Sequence, residues 1–116
     1  MTQTPHSSAA DRDGQGAAVR EVALLWAWHH PGPFPEVPFD DKLDLVYLDL
    51  TVAGCVSTYL GNGGRPGRDH SDVLRTCLPE LRAAVALLGR SAQYREGLAA
   101  FRRLLAMAEL ILADGS

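Results

Sequence analysis

The residues best suited to chemistry in this chain are few, and one of them stands in an odd place. Asp49 lies inside the most apolar run of the sequence, Asp41 to Leu60, DKLDLVYLDLTVAGCVSTYL. On a helix, at about 100° per residue, Asp44, Thr51 and Thr58 collect in one narrow polar arc. Asp49 points almost opposite, among Val46, Ala53, Val56 and Leu60. An ionised carboxylate there must find a partner or shift its pKa. Antiparallel pairing with the next helix sets Asp49 level with Arg82; Arg102 and Tyr94 are further candidates. Two roles follow. A buried Asp–Arg pair fixes helix register. A carboxylate in an apolar pocket without an arginine is a functional group, and the ligand site it defines is drawn from Trp26, His29, Asp49, Tyr59 and Arg82. No spacing selects a nucleophile with its base, so no catalytic residue is assigned.

Other chemistries have less support. His29 and His30 are adjacent, so on a helix their side chains diverge and do not chelate together. There is no His-x-x-x-His and no Glu-x-x-His, and no metal or cofactor is expected. The loop GNGGRPGRDH, residues 61–70, lacks the Lys-Ser/Thr ending of a phosphate-binding loop. Cys55 and Cys77 are the only cysteines, too few for a disulfide framework. The antiparallel pairing puts them at similar height, with Cys77 facing inward and Cys55 near the polar arc. Nucleic acid is not an expected partner: the eight arginines after Gly61 are interleaved with acidic residues and lack an aromatic platform.

Composition narrows the class. The chain has 116 residues, 47% of them apolar, with a net charge of −3, as expected of one globular domain. Charge is uneven: residues 1–60 carry 3 basic and 8 acidic groups, residues 61–116 carry 8 and 6. Ten of the eleven basic residues are Arg, a bias that fits GC-rich bacterial coding. The N-terminus has no apolar core of a signal peptide, and Asp44 and Asp49 interrupt the best candidate for a membrane span. These features predict a cytoplasmic protein with reduced thiols and no membrane partner.

The elements that must position Asp49 follow from periodicity. Residues 1–16 are polar and glycine-containing and are expected to form a disordered tail, leaving residues 17–116 as one domain. Ala17 to His30 is the first helix, with Val22, Leu25, Trp26 and His29 on its inner face and Leu24 and Trp28 turned away. Pro31 ends it. PGPFPEVPF has four prolines in eight residues, an extended connector that Phe34 and Phe39 should pin to the bundle. The second helix covers Asp41–Leu60, with Asp40 or Asp41 as N-cap. LDLVYLDLTV also partly alternates like a strand, but twenty residues before the Gly61 breaker favour a helix.

The third helix begins at Asp69 or Ser71 and runs to Leu88, with Pro79 on its outer face, where it bends the helix or divides it. Gly89 is expected as its C-terminal cap residue and Ser91 as the next N-cap. The fourth helix covers Ala92–Ala113, with Tyr94, Leu98, Phe101, Leu105, Ala108 and Leu112 stepping by fours and threes. Alanines, among them Ala99 and Ala106, recur every seven residues on its far side.

The predicted fold is an all-α, up-and-down four-helix bundle with a proline-rich connector between the first two helices. Its first two helices carry more apolar surface than such a bundle hides. That excess points to a non-enzymatic interaction or regulatory module, binding another protein or a second copy of itself. The contact residues expected are Leu24, Trp28, Phe34, Ala99, Ala106 and Leu110. The competing reading is a ligand-binding or catalytic bundle centred on Asp49 and His29.

Overall fold

Helical periodicity is realised in all four places where the sequence predicts it. The computed structural model describes residues 3–29, 33–65 and 67–115, and for residues 3–15 the backbone alone. Four helices result: α1 (Gln3–His29), α2 (Lys42–Gly61), α3 (Arg68–Leu88) and α4 (Arg95–Gly115). There is no strand among the described residues, so the strand-like alternation in α2 loses to its length. The chain is an all-α four-helix bundle. The helix stop at Pro31 lies outside the described residues.

The second helix is announced by Pro38, whose ring holds φ at −54°, followed by a 3-10 turn over Phe39–Asp41. Asp41 occupies the N-cap but makes no side-chain capping bond; its charge, with Asp40 and Asp44, serves the helix dipole instead. Beyond α2, Gly63 and Gly64 take φ of 68° and 94°, and Gly64 N–H donates to the Tyr59 carbonyl at 2.8 Å. A side chain at Gly64 would also collide with Val19. Glycine is required there for both reasons.

The third helix passes through Pro79 unbroken, so the proline costs a hydrogen bond without dividing the element. Gly89 caps it as expected, with an ordinary helical φ of −74°. Ser91 does act as a cap, accepting from Gln93 N–H at 3.3 Å.

Helix α4 is the element on which the others rest: it packs on α1, α2 and α3, most extensively on α3. Phe101, Leu104, Met107, Ala108 and Ile111 form its buried stripe, meeting Leu74, Leu81 and Leu88 of α3 and Val52, Val56 and Tyr59 of α2 in one core. By contrast α1 touches α2 only thinly. Its helix also starts fourteen residues before the expected Ala17. Extending an existing helix costs far less than nucleating one, so a polar stretch can continue a helix anchored elsewhere.

The connector is held by three contacts. Phe34 packs edge-on against Phe101, with centroids 6.3 Å apart at 82°; Val37 is buried; and Gln93 Nε2 donates to Glu36 Oε2 at 2.8 Å. Phe39, expected as a second pin, is instead 90% exposed. The rigid Pro38 turn that starts α2 carries its ring outward.

Candidate functional site

The carboxylate that looked misplaced in the sequence finds a histidine. His29, in the last turn of α1, donates from Nε2 to Asp49 Oδ1 across 2.7 Å. The side chains are only 10% and 20% exposed. The other ring nitrogen, Nδ1, is buried without a partner. Asp49 thus latches the end of α1 to the middle of α2, a pair of helices that pack thinly on each other.

This replaces the predicted pairing with Arg82. Arg82 turns outward and pairs with Glu109 of α4 at 3.4 Å, in an exposed bridge. The error is one of rotation. Asp49 leaves α2 on the side that α1 covers, whereas Arg82 leaves α3 on the side that meets the outer edge of α4.

The latch lies in an open groove of about 910 Å³ between α1, the connector, α2 and α4. Trp26, Trp28 and Phe34 supply aromatic walls; Ser57, Glu36, Glu96 and Arg103 supply polar ones. The Trp26 ring lies 6.2 Å from that of His29. Arg103 Nε is buried without a hydrogen-bond partner. Gly97 keeps the connector close to α4, since a Cβ there would come within 3.2 Å of the Glu36 carbonyl.

Of the ligand candidates, the fold therefore brings together Trp26, His29 and Asp49 and leaves out two. Tyr59 is fully buried and donates to Asp114 Oδ2 at 2.9 Å. Burial first, and then that bond and the Asp114 charge, push its phenol far above the usual value near 10. Among the described residues no three His, Cys, Asp or Glu side chains gather as a metal site. Cys55 and Cys77 are free thiols, both buried, so the place of Cys55 beside Thr51 and Thr58 does not keep its thiol in water. Burial pushes both thiols up, Cys77 further through the charges of Glu80 and Cys55.

No family model, curated protein or solved structure matches this chain.

The partner candidates also divide. Leu24 and Trp28 are exposed, at 66% and 75%. Phe34 is half-buried in the groove, Ala99 lies on its rim, and Ala106 and Leu110 are half-buried along α4. The sequence reading missed a second set. Phe39, Leu43, Tyr47 and Leu50 are 90%, 81%, 74% and 65% exposed. Leu43, Tyr47 and Leu50 recur every three or four residues, which places them on one outward face of α2, and Phe39 precedes them in its entry turn. The signal was present: a helix apolar nearly all round must turn some of its large residues away from a single core.

These residues form one surface. Trp28 of α1 and Leu50 of α2 line the same groove; Tyr47 of α2 and Val73 of α3 line a smaller cleft of about 430 Å³. Among the described residues every exposed large apolar side chain belongs to α1, α3 or α2 with its entry turn, and none to α4. By length and composition, the 23 residues Phe39–Gly61 are also apolar enough to cross a membrane. Asp44 and Asp49 therefore do not disqualify that segment, contrary to the sequence expectation.

Proposed function

We propose that this chain is a non-enzymatic protein-interaction or regulatory module that docks through the apolar face of α1, α2 and α3. One observation carries the reading: among the described residues, the large apolar side chains left in water belong to α1, α3 or α2 with its entry turn. Aromatic side chains offer about 150–250 Å² each, so Trp28, Phe39 and Tyr47 leave roughly 450 Å² uncovered. Leu24, Leu43 and Leu50 bring the total to roughly 750 Å², taking about 100 Å² per leucine. The largest patch on an ordinary monomer is about 300–600 Å², and a standard interface covers about 800 Å² per partner. Acidic residues Asp40, Asp41 and Asp44 border the patch, which favours a protein over an anionic lipid surface.

Charging the surface tests this. Leu43→Glu and Leu50→Glu should leave the thermal midpoint nearly unchanged, because neither side chain contributes to the core, and should abolish association. The readouts are sedimentation of the purified chain and pull-down from native extract. Identical behaviour of wild type and both variants in the two assays contradicts the reading.

A second reading rests on the groove. Among the described residues Asp49 pairs with His29 and with no arginine, and His29 Nδ1 and Arg103 Nε are buried polar atoms without hydrogen-bond partners. Such atoms are rare in finished cores and suit a small molecule that presents an acceptor to Arg103 and a flat face to Trp26. Its test is a fragment screen read at the indole and imidazole proton resonances, in which no saturable shift at Trp26 or His29 removes it.

A further inference from the structure

The outward face of α2 is bulky at one end and small at the other. Phe39, Leu43, Tyr47 and Leu50 fill its N-terminal half. Continuing the same three- and four-residue steps, Gly54, Ser57 and Gly61 fill the C-terminal half, all exposed. A Cβ added to Gly54 or Gly61 meets nothing within 4 Å, so packing inside this chain does not call for glycine at either place. Glycine in a helix interior costs about 1 kcal/mol relative to alanine. Such a pattern fits itself when reversed.

We infer that the occupant of this face is a second copy of the chain, whose α2 lies antiparallel across the first about a two-fold axis at Leu50. This rests on the interaction reading above and names its partner. In that register Leu50 meets Leu50 of the second copy. Tyr47 lies over the second copy's Ala53 and the adjoining Gly54, Leu43 over its Ser57 and Phe39 over its Gly61. Apart from the central Leu50 pair, each large side chain meets small ones, and the contact is isologous, as a closed dimer requires.

Three further observations agree. The exposed apolar area is close to one side of a standard interface. The acidic starts of the two α2 helices, Asp40, Asp41 and Asp44, fall at opposite ends of the contact. At 1.5 Å per residue they are separated by roughly 25 Å, beyond the screening length of about 8–10 Å; a parallel pairing would set them side by side. Each acidic end then lies over the end of α2 in the other copy, from which the exposed Arg65 and Arg68 follow. Opposite charge meets opposite charge at both ends of the seam. Leu24 and Trp28 on one flank and Val73 on the other widen the contact beyond α2.

The full chain and three variants test the inference. Wild type should sediment at about 25 kDa, twice the 12.5 kDa of one chain, at tens of micromolar. Gly54→Leu should weaken the dimer at least tenfold without lowering the thermal midpoint of the monomer, since the added side chain has open space within one copy. Under mild oxidation with oxidised glutathione, L50C should cross-link two copies. L43C should not, because the two positions lie roughly 20 Å apart in this register. Efficient cross-linking of both variants, or no effect of Gly54→Leu on a dimer, overturns the arrangement. A wild type that stays at 12.5 kDa overturns the inference, and an apolar dye then separates the two ideas. Dye binding lost in Leu43→Glu leaves the docking face open for a different protein, whereas no dye binding removes the interaction reading as well. Wild type that floats with phosphatidylcholine vesicles instead of dimerising also overturns the inference, in favour of a membrane.

Discussion

At the scale of single residues the His29–Asp49 latch is the most consequential polar contact in the bundle. It is largely sheltered, and it joins α1 to α2, a pair packed far less extensively than α3 on α4. Asp49→Ala strands the His29 donor in a poorly hydrated site and should cost about 1–3 kcal/mol; Asp49→Asn, which keeps an acceptor, should cost less. Arg82→Ala breaks only an exposed bridge and should change stability by no more than about 0.5 kcal/mol. Urea unfolding of the three variants checks the order. A cost for Arg82→Ala equal to that of Asp49→Ala would return Asp49 to the arginine pairing that the sequence suggests.

Tyr59 gives a second residue-scale prediction, in alkali. The folded phenol holds its proton more tightly than the unfolded one, whose pKa is near 10. Its contribution is therefore intact below about pH 10 and is lost as pH rises towards the folded value. The two buried thiols act in the same sense from about pH 9, the usual thiol value. The thermal midpoint of wild type should fall more steeply between about pH 9.5 and 11 than that of Tyr59→Phe. At neutral pH the same substitution removes one hydrogen bond, at a cost of about 1 kcal/mol.

At the scale of elements, α3 carries a removable defect. Pro79 is exposed, interior to the helix, and breaks one rung of its ladder without ending it. Pro79→Ala should raise stability by about 1–3 kcal/mol, read as a higher thermal midpoint with unchanged helical content. An unchanged or lower midpoint would mean that packing in α3 is fitted to the bend.

Elements are also where the sequence was most legible. The four-three stepping marks α4 as covered on one side, and Phe101 and Ala108 are buried as it requires; Leu105 is only half-buried, and Leu104, Met107 and Ile111 complete the stripe instead. The turned-away pair Leu24 and Trp28 was equally plain. Two things were hidden, and both depend on rotation about a helix axis. The partner of Asp49 was one, since either neighbour could cover that side of α2. The outward stripe of Phe39, Leu43, Tyr47 and Leu50 was the other. Periodicity shows that α2 is apolar nearly all round; only the positions of α1, α3 and α4 decide which quarter of it is left over.

At the scale of the whole molecule, α4 is the hub and α2 the surface. The helix that the core needs most shows water no large apolar side chain, while the most apolar helix of the chain leaves four on its outward face and entry turn. α2 is itself divided: Leu45, Leu48, Val52 and Val56 face the core while Leu43, Tyr47 and Leu50 face water, so substitutions on its outer stripe leave the packing untouched.

Cys55 and Cys77 complete the division. Both sulfurs are shut away inside the bundle, and both are held neutral and therefore poorly nucleophilic. The folded protein offers alkylating reagents no ready target. Each native thiol becomes a clock for the breathing of the bundle, reacting at the pace at which α2 lifts from α3.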